Sequence, residues 1–460
     1  LALASASLAS PLFALLGFFL VRGRMAEDVR SGIGSVIGAS AIGNWQFLFS
    51  RWLGGVMYLL SLVQAFMLTM MLCQILRGDG AVEVMIYLQT YALVLLPNVL
   101  FAVSCAILFD SFAPAMGKVG EILYFFLWVA QIGLVSQIDE AYKNGTPTAL
   151  LFDFSGIATT MFNFSQHLHT DNISLGGGTF DAKLAPLTLP AMLWSSQLIG
   201  MRLLSGLLAL LPILPAALIF HRFSPDRVKA SRSRQRRTPW QVLNNMLRPL
   251  AGLVQPLLRL AQRLPGIAGQ IVADVSLTLI SAPSAIAAII VINFAALFAS
   301  SKGLGGLLSV AVAFWAVLIS DIASRDFQAQ SEEMTAALPG GNQQRYLRQL
   351  AASLLLGLFF MGTIALRWGM QDMQHVLAIV SGMVFLAAFS HLLGRTSGSA
   401  RTFLSLFMLA MYIALNVDKV PMLDAIGFNG VANASSILMY GVFGLSAVVA
   451  GYVYNMRRGC

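Results

Sequence analysis

Three cysteines in 460 residues are too few for a disulfide framework, and two of them, Cys73 and Cys105, lie in apolar runs where packing is the expected role. Charge is scarce as well: Asp, Glu, Lys and Arg together make up 11% of the chain, against 57% hydrophobic residues. Several chemistries are missing outright. The only Gly-Lys dipeptide, Gly117-Lys118, is followed by Val and has no upstream glycine, so the chain holds no phosphate-binding loop. No HExxH, CxxC or GxSxG motif occurs. No series of acids crosses the apolar segments, which argues against a proton-coupled pump.

What the chain has in abundance is apolar blocks. About 20 apolar residues cross the hydrocarbon as a helix, and backbone groups in lipid must bond within their own segment, so this pattern predicts an all-α polytopic membrane protein. Spans are expected near 7–21, 53–76, 86–109, 119–137, 198–220, 281–300, 305–321, 351–367, 375–394, 402–417 and 434–455. With the first helix running inward, the cytoplasmic segments hold 22 of the 29 Lys and Arg residues, as the positive-inside rule requires. The net charge of +9 therefore reports membrane orientation rather than a nucleic-acid surface.

A polar, glycine-rich interruption, "EDVRSGIGSVIGASAIGNWQFLFSRW", runs from Glu27 to Trp52. Slid by 298 residues it falls on "RDFQAQSEEMTAALPGGNQQRYLRQL", Arg325 to Leu350, without a gap. Asp28 meets Asp326, Ala39 meets Ala337, Gly43 and Asn44 meet Gly341 and Asn342, and Gln46 meets Gln344. Both stretches follow one apolar run and precede another, which predicts two pseudo-repeated six-helix halves. The same offset sets residue 1 against Ala299, so a helix is expected ahead of Leu1, bringing the total from eleven to twelve. The expected domains are a first half over 1–220, a basic linker with an interfacial helix over 221–278, and a second half over 279–460.

Val29, Ile33, Val36 and Ile37 are spaced for a short amphipathic helix on the cytoplasmic surface. The stretch 139–189 reads as the longest external segment, a surface for an accessory partner. Its His167 and His169 form an HxH pair, but two ligands without a third make a poor metal site, and they read as solvated loop residues. The linker carries ten basic residues from Arg222 to Arg263, and its "LRPLAGLVQPLLRLAQRLPGIAGQIVADV" mixes leucines with arginines as a helix at the lipid headgroups would. Nucleic acid is not an expected partner. Within the spans, Glu121, Arg202 and His391 are expected to snorkel to an interface.

The order of apolar helix, charged residues, short amphipathic helix, small polar turn and then Arg51-Trp52-Leu53-Gly54-Gly55 opening a long helix resembles the permeases of ABC-2 type transporters. The second copy, with Arg325, Asp326, Glu332, Glu333 and Pro339, is similar to the second halves of fused twelve-helix members. The resemblance implies a bacterial inner-membrane exporter subunit that is not itself an enzyme. Two cytoplasmic ATP-binding cassette subunits would hold ATP and magnesium. It also implies that the two segments are coupling helices docking on those subunits, through Asp28, Val29, Ile33, Val36, Ile37 and Asn44 in the first copy. In the second copy the contacts would be Arg325, Asp326, Phe327, Glu332, Glu333, Met334 and Asn342. Gly32 and Ser35 depart from the family pattern, in which acids are frequent there, so the two halves are expected to dock unequally. An ion-coupled secondary transporter is the alternative, and it lacks both intramembrane acids and helices broken at matched positions. A lipid-modifying enzyme would need a His, Asp or Glu cluster at one membrane face, and none is visible.

Overall fold

The computed structural model describes residues 1–77, 81–112, 115–134, 148–168, 194–220, 244–301, 303–329, 331, 334, 341–416 and 420–457. All regular structure among them is helical, in two compact units, Leu1–Arg236 and Arg237–Cys460. Eight helices are long and apolar enough to cross a membrane, and a bent pair makes a ninth. The chain is an all-helical, multi-pass membrane protein.

In the first unit, α1 (Ala2–Val21) leads through two short helices, α2 (Arg24–Arg30) and α3 (Ile33–Ala39), into the long α4 (Asn44–Arg77). The chain returns along α5 (Val84–Ser111) and goes out again along α6 (Lys118–Gly133). A 3-10 turn (Thr148–Phe152), α7 (Ile157–Leu168), α8 (Ser196–Leu208) and α9 (Ile213–Ile219) complete it. Lipid offers no water to drive helices together, so packing and polar contacts must do so. On α6, Tyr124 donates to the carbonyl of Ala14 at 2.7 Å and Trp128 to that of Pro11 at 3.0 Å, while Phe18 stacks on Tyr124. The two carbonyls lie on α1, which is thereby fixed to α6.

The second unit opens on a 3-10 turn (Arg248–Val254) and α10 (Gln255–Arg263). Next come α11 (Gly266–Ser281) and α12 (Pro283–Phe298), bent by 99° at Ala282. The expected interfacial helix is thus three pieces, the last of which, α11, turns sharply into α12. After it come α13 (Gly303–Ile322), α14 (Arg325–Gln328), α15 (Gly341–Gly369), α16 (Met373–Ser397), α17 (Ala400–Asn416) and α18 (Ala434–Arg457). The division between units falls inside 221–278, and the described part of that stretch belongs with the second unit.

Each of the eleven expected spans overlaps helix among the described residues, but the limits differ, and α6 (16 residues) and α17 (17 residues) fall short of the length of a span. The helices α4 and α15 begin at Asn44 and Gly341, well before the apolar windows at 53 and 351. Hydrocarbon thickness fixes only the apolar core of a helix, whereas its hydrogen bonds continue as long as side chains find something to pack on. Phe47 and Leu48 are buried in the first case, Arg345 and Tyr346 in the second. Conversely, the expected span 198–220 is interrupted after Leu208, where Pro212 and Pro215 remove backbone donors.

The largest departure concerns 139–189. Most of residues 150–165 are buried within the first unit rather than forming a solvated loop, and 139–147 and 169–189 lie outside the described residues. Irregular backbone within a membrane bundle is tolerated where it is buried in protein or lines a water-filled cavity. Here the Phe154 N–H donates to Gln131 at 2.9 Å, Ser10 donates to the carbonyl of Ser155, and Phe154 stacks on Phe101 of α5.

Candidate functional site

Between α1 and α4, the α2–α3 segment is tied down by its charges. Arg22 pairs with Asp110 at the end of α5 at 3.6 Å, and the Gly23 N–H donates to the same carboxylate at 2.7 Å. Asp28 is buried and accepts from Arg51 on α4 at 2.5 Å. Ile37 packs against the core, and Asn44 donates to the carbonyl of Phe220 at 3.4 Å. Ile33 and Val36 have no such partner and are 51% and 70% exposed. Val29 lies on α2, its side chain outside the described residues. Gly32 adopts φ +77 between the two short helices, a left-handed position that an acidic residue would occupy only with strain, which accounts for the glycine there.

The second unit repeats the arrangement. Asp326 accepts from Gln349 on α15 at 3.1 Å and pairs with Arg345 at 3.8 Å. Asp28 to Arg51 and Asp326 to Gln349 are both contacts across 23 residues. Arg395 of α16 donates to the other end of the Gln349 amide at 3.1 Å, Arg345 donates to Asn342 at 2.8 Å, and Arg325 donates to Thr278 at 3.0 Å. The apolar members again face outward, Phe327 at 51% and Met334 at 77% exposure. Glu332 and Glu333 lie outside the described residues.

No family model, no curated protein and no solved structure matches the chain. The site is therefore read from its own geometry. In both units the acid of the segment is turned in toward the following helix, and the apolar side chains are turned out.

The three intramembrane ionisable residues do not snorkel. Glu121, Arg202 and His391 are all buried inside the protein. His391 meets Ser353 at 2.9 Å and lies edge-on to Tyr346. Arg202 has a role that the sequence reading missed. Pro97 has no N–H, so it leaves the carbonyl of Leu93, four residues earlier on α5, without its helical donor. The guanidinium supplies one: Nε donates to Leu93 at 2.8 Å and Nη2 to Val94 at 3.2 Å, and Nη1 donates to the backbone carbonyl of Asp153.

Asp153 itself opens a turn, accepting from the Gly156 N–H at 2.9 Å and from Thr159 through both its N–H at 2.7 Å and its hydroxyl at 2.8 Å. The same turn stands in the second unit, where Asp424 accepts from the Gly427 N–H at 2.7 Å and the Asn429 N–H at 2.7 Å. Gly156 and Gly427 both have positive φ, +75 and +82. Burial pushes the Asp424 carboxyl up, against backbone N–H groups that hold it down. Each Asp-x-x-Gly precedes the last span of its unit; the spacing is visible in the sequence but too common to single out. Among the described residues no three metal-ligating side chains converge. His167 bonds the Asn163 carbonyl one turn back, and His169 lies outside the described residues.

Proposed function

We propose that the chain is the membrane-spanning subunit of an ABC-2 type exporter, built as two related halves, and that α2–α3 and the segment opening at α14 are its docking elements for cytoplasmic ATPase subunits. The observation that supports this reading is the recurrence of the 23-residue anchor in both units, with apolar side chains presented beside it. A partner that closes on nucleotide must push something joined firmly to a long helix. Asp28 and Asp326 provide that joint, and Ile33, Val36, Phe327 and Met334 provide contact surface for a cleft on a soluble protein. Both joined helices, α4 and α15, are long enough to carry the displacement across a membrane.

The test is co-purification of the ATPase, with its turnover measured in liposomes. Ile33→Asp and Met334→Asp each place a charge in an apolar contact, at an expected loss of roughly 1–3 kcal/mol of association. Neither side chain supports the bundle, so the melting temperature of the membrane subunit is expected to hold. Full association and unchanged turnover in both variants would overturn the assignment and favour an ion-coupled transporter instead.

A further inference from the structure

A cleft of about 290 Å³ opens where α1, α2, α4 and α5 meet. Its polar lining includes Arg24, Arg51, Tyr58 and Asp110. The carboxylate of Asp110 is engaged by Arg22 and the Gly23 N–H, so the cleft presents donors. Arg51 gives one N–H to Asp28 out of the five a guanidinium carries. Among the described residues Arg24 meets only Glu27, at 3.8 Å and with both side chains about two-thirds exposed, a pairing that a better acceptor displaces. The Tyr58 hydroxyl has no protein partner among the described residues.

Arg51, Gly54, Gly55 and Tyr58 fall at i, i+3, i+4 and i+7, a single face of α4. Gly55 is explained by packing, because a methyl there would press on Val21 and Val103. Gly54 is not: no atom lies within 4 Å of where its Cβ would be. A glycine within a helix weakens it, and what this one leaves is the open floor of the cleft. Arg24 follows the apolar run of α1 and Arg51 precedes that of α4, as residues at the ends of apolar segments do, while Leu20, Leu53 and Met57 expose apolar surface beside them.

We infer that this cleft binds the headgroup of an anionic phospholipid, with the phosphate between Arg24 and Arg51, the backbone over Gly54 and an ester carbonyl reaching Tyr58. The cleft commits to a lipid rather than a free phosphate because two of its donors, Arg51 and Tyr58, stand two turns apart along one face of α4 and its rim is apolar. Basic pockets between membrane helices recognise such headgroups on general grounds.

The test uses the full-length chain, stripped of lipid in mild detergent and titrated in mixed micelles with acyl-labelled phosphatidylglycerol, with phosphatidylcholine as control. Phosphatidylglycerol is expected to bind saturably and phosphatidylcholine not. Arg24→Gln should weaken binding about fivefold, the contribution of one basic residue at an anionic surface. Gly54→Leu fills the floor from a Cβ that meets no protein atom within 4 Å, and should abolish saturable binding at an unchanged melting temperature. Where that variant melts early, Arg24→Gln and Tyr58→Phe decide, and no weakening in either overturns the proposal. Equal binding of the two lipids overturns it, and so does displacement of phosphatidylglycerol by millimolar inorganic phosphate, which would mark a free-anion site. No ATPase is present in this assay, so its failure leaves the docking reading untouched.

Discussion

The turn at Asp153–Gly156 and the turn at Asp424–Gly427 share a spacing, a carboxylate bonded to the glycine N–H and a left-handed glycine, yet they are seated by opposite means. In the first unit the turn sits against the middle of α5, where Pro97 has already opened the helix, and a buried cation joins the two. In the second it rests on small residues: a methyl at Gly305 of α13 or Gly382 of α16 would overlap the carbonyl oxygens of Phe428 and Ala425. Asn429 completes the contact by donating to Ala414 at 2.7 Å. One local motif is therefore compatible with a charged seat or a close-packed one. The difference is that a charged seat fails when either partner is lost, whereas a packed seat fails only when something is added.

That contrast can be broken most severely at Arg202. Arg202→Leu removes the donor to the backbone carbonyls of Leu93, Val94, Asp153 and Phe154 at once, and a loss of roughly 3–5 kcal/mol is expected, since each buried acceptor left without a donor costs about 1–3 kcal/mol. It is measured as the unfolding midpoint in detergent. Adding Pro97→Ala restores the N–H that Leu93 lacks, so the double variant should recover part of the loss. Strict additivity of the two changes would mean that Arg202 does not serve the proline break.

The two glycines give the next largest effect. Alanine at either position pays for a left-handed backbone, about 1–2 kcal/mol. At Gly156 the new methyl also meets the Arg202 guanidinium at 2.9 Å and the Val94 carbonyl at 3.1 Å, whereas at Gly427 it meets the Ala378 methyl at 3.0 Å. Gly156→Ala should therefore be the more damaging, by roughly 1 kcal/mol, within the range for displaced buried polar contacts. Equal losses would erase the distinction between the seats.

The smallest effect is expected at the anchors, where the comparison can be sharpened. Arg51→Gln gives the first unit the residue type that the second has at Gln349. The Arg51 side chain is 32% exposed, so replacing its ion pair by a neutral hydrogen bond should cost no more than about 1 kcal/mol and leave the segment in place. A hydrogen-exchange comparison of 24–39 before and after the change would detect release of the segment if the charge itself were required.

The sequence disclosed the helices and hid their seams. Apolar windows are set by the solvent, so each expected span found a helix, but Asn44 and Gly341 begin theirs in polar residues that no hydropathy pattern separates from a loop. The two segments could be aligned in the sequence through identities such as Asp28 with Asp326, but the direction of those acids could not be read, since pairing with a residue 23 positions on is a property of the fold. The inward stretch 148–168 escaped because it is too short to span and is bounded by polar residues, which reads as a loop. Arg202 escaped for a different reason: its partners are main-chain carbonyls, and a carbonyl left open by a proline has no letter of its own.

The bond from Arg202 to Leu93 joins residues 109 positions apart, and the carbonyl comes first. When α8 emerges from the ribosome, its arginine is costly to leave in lipid alone, and α5 with its open carbonyl has already been made. The last span of the first unit thus has a receptor waiting for it in an earlier one. Hydropathy alone qualifies this span, but its arginine is seated by a helix already synthesised, so a chain from which α5 is deleted would be expected to insert α8 poorly, with the guanidinium left without its carbonyls.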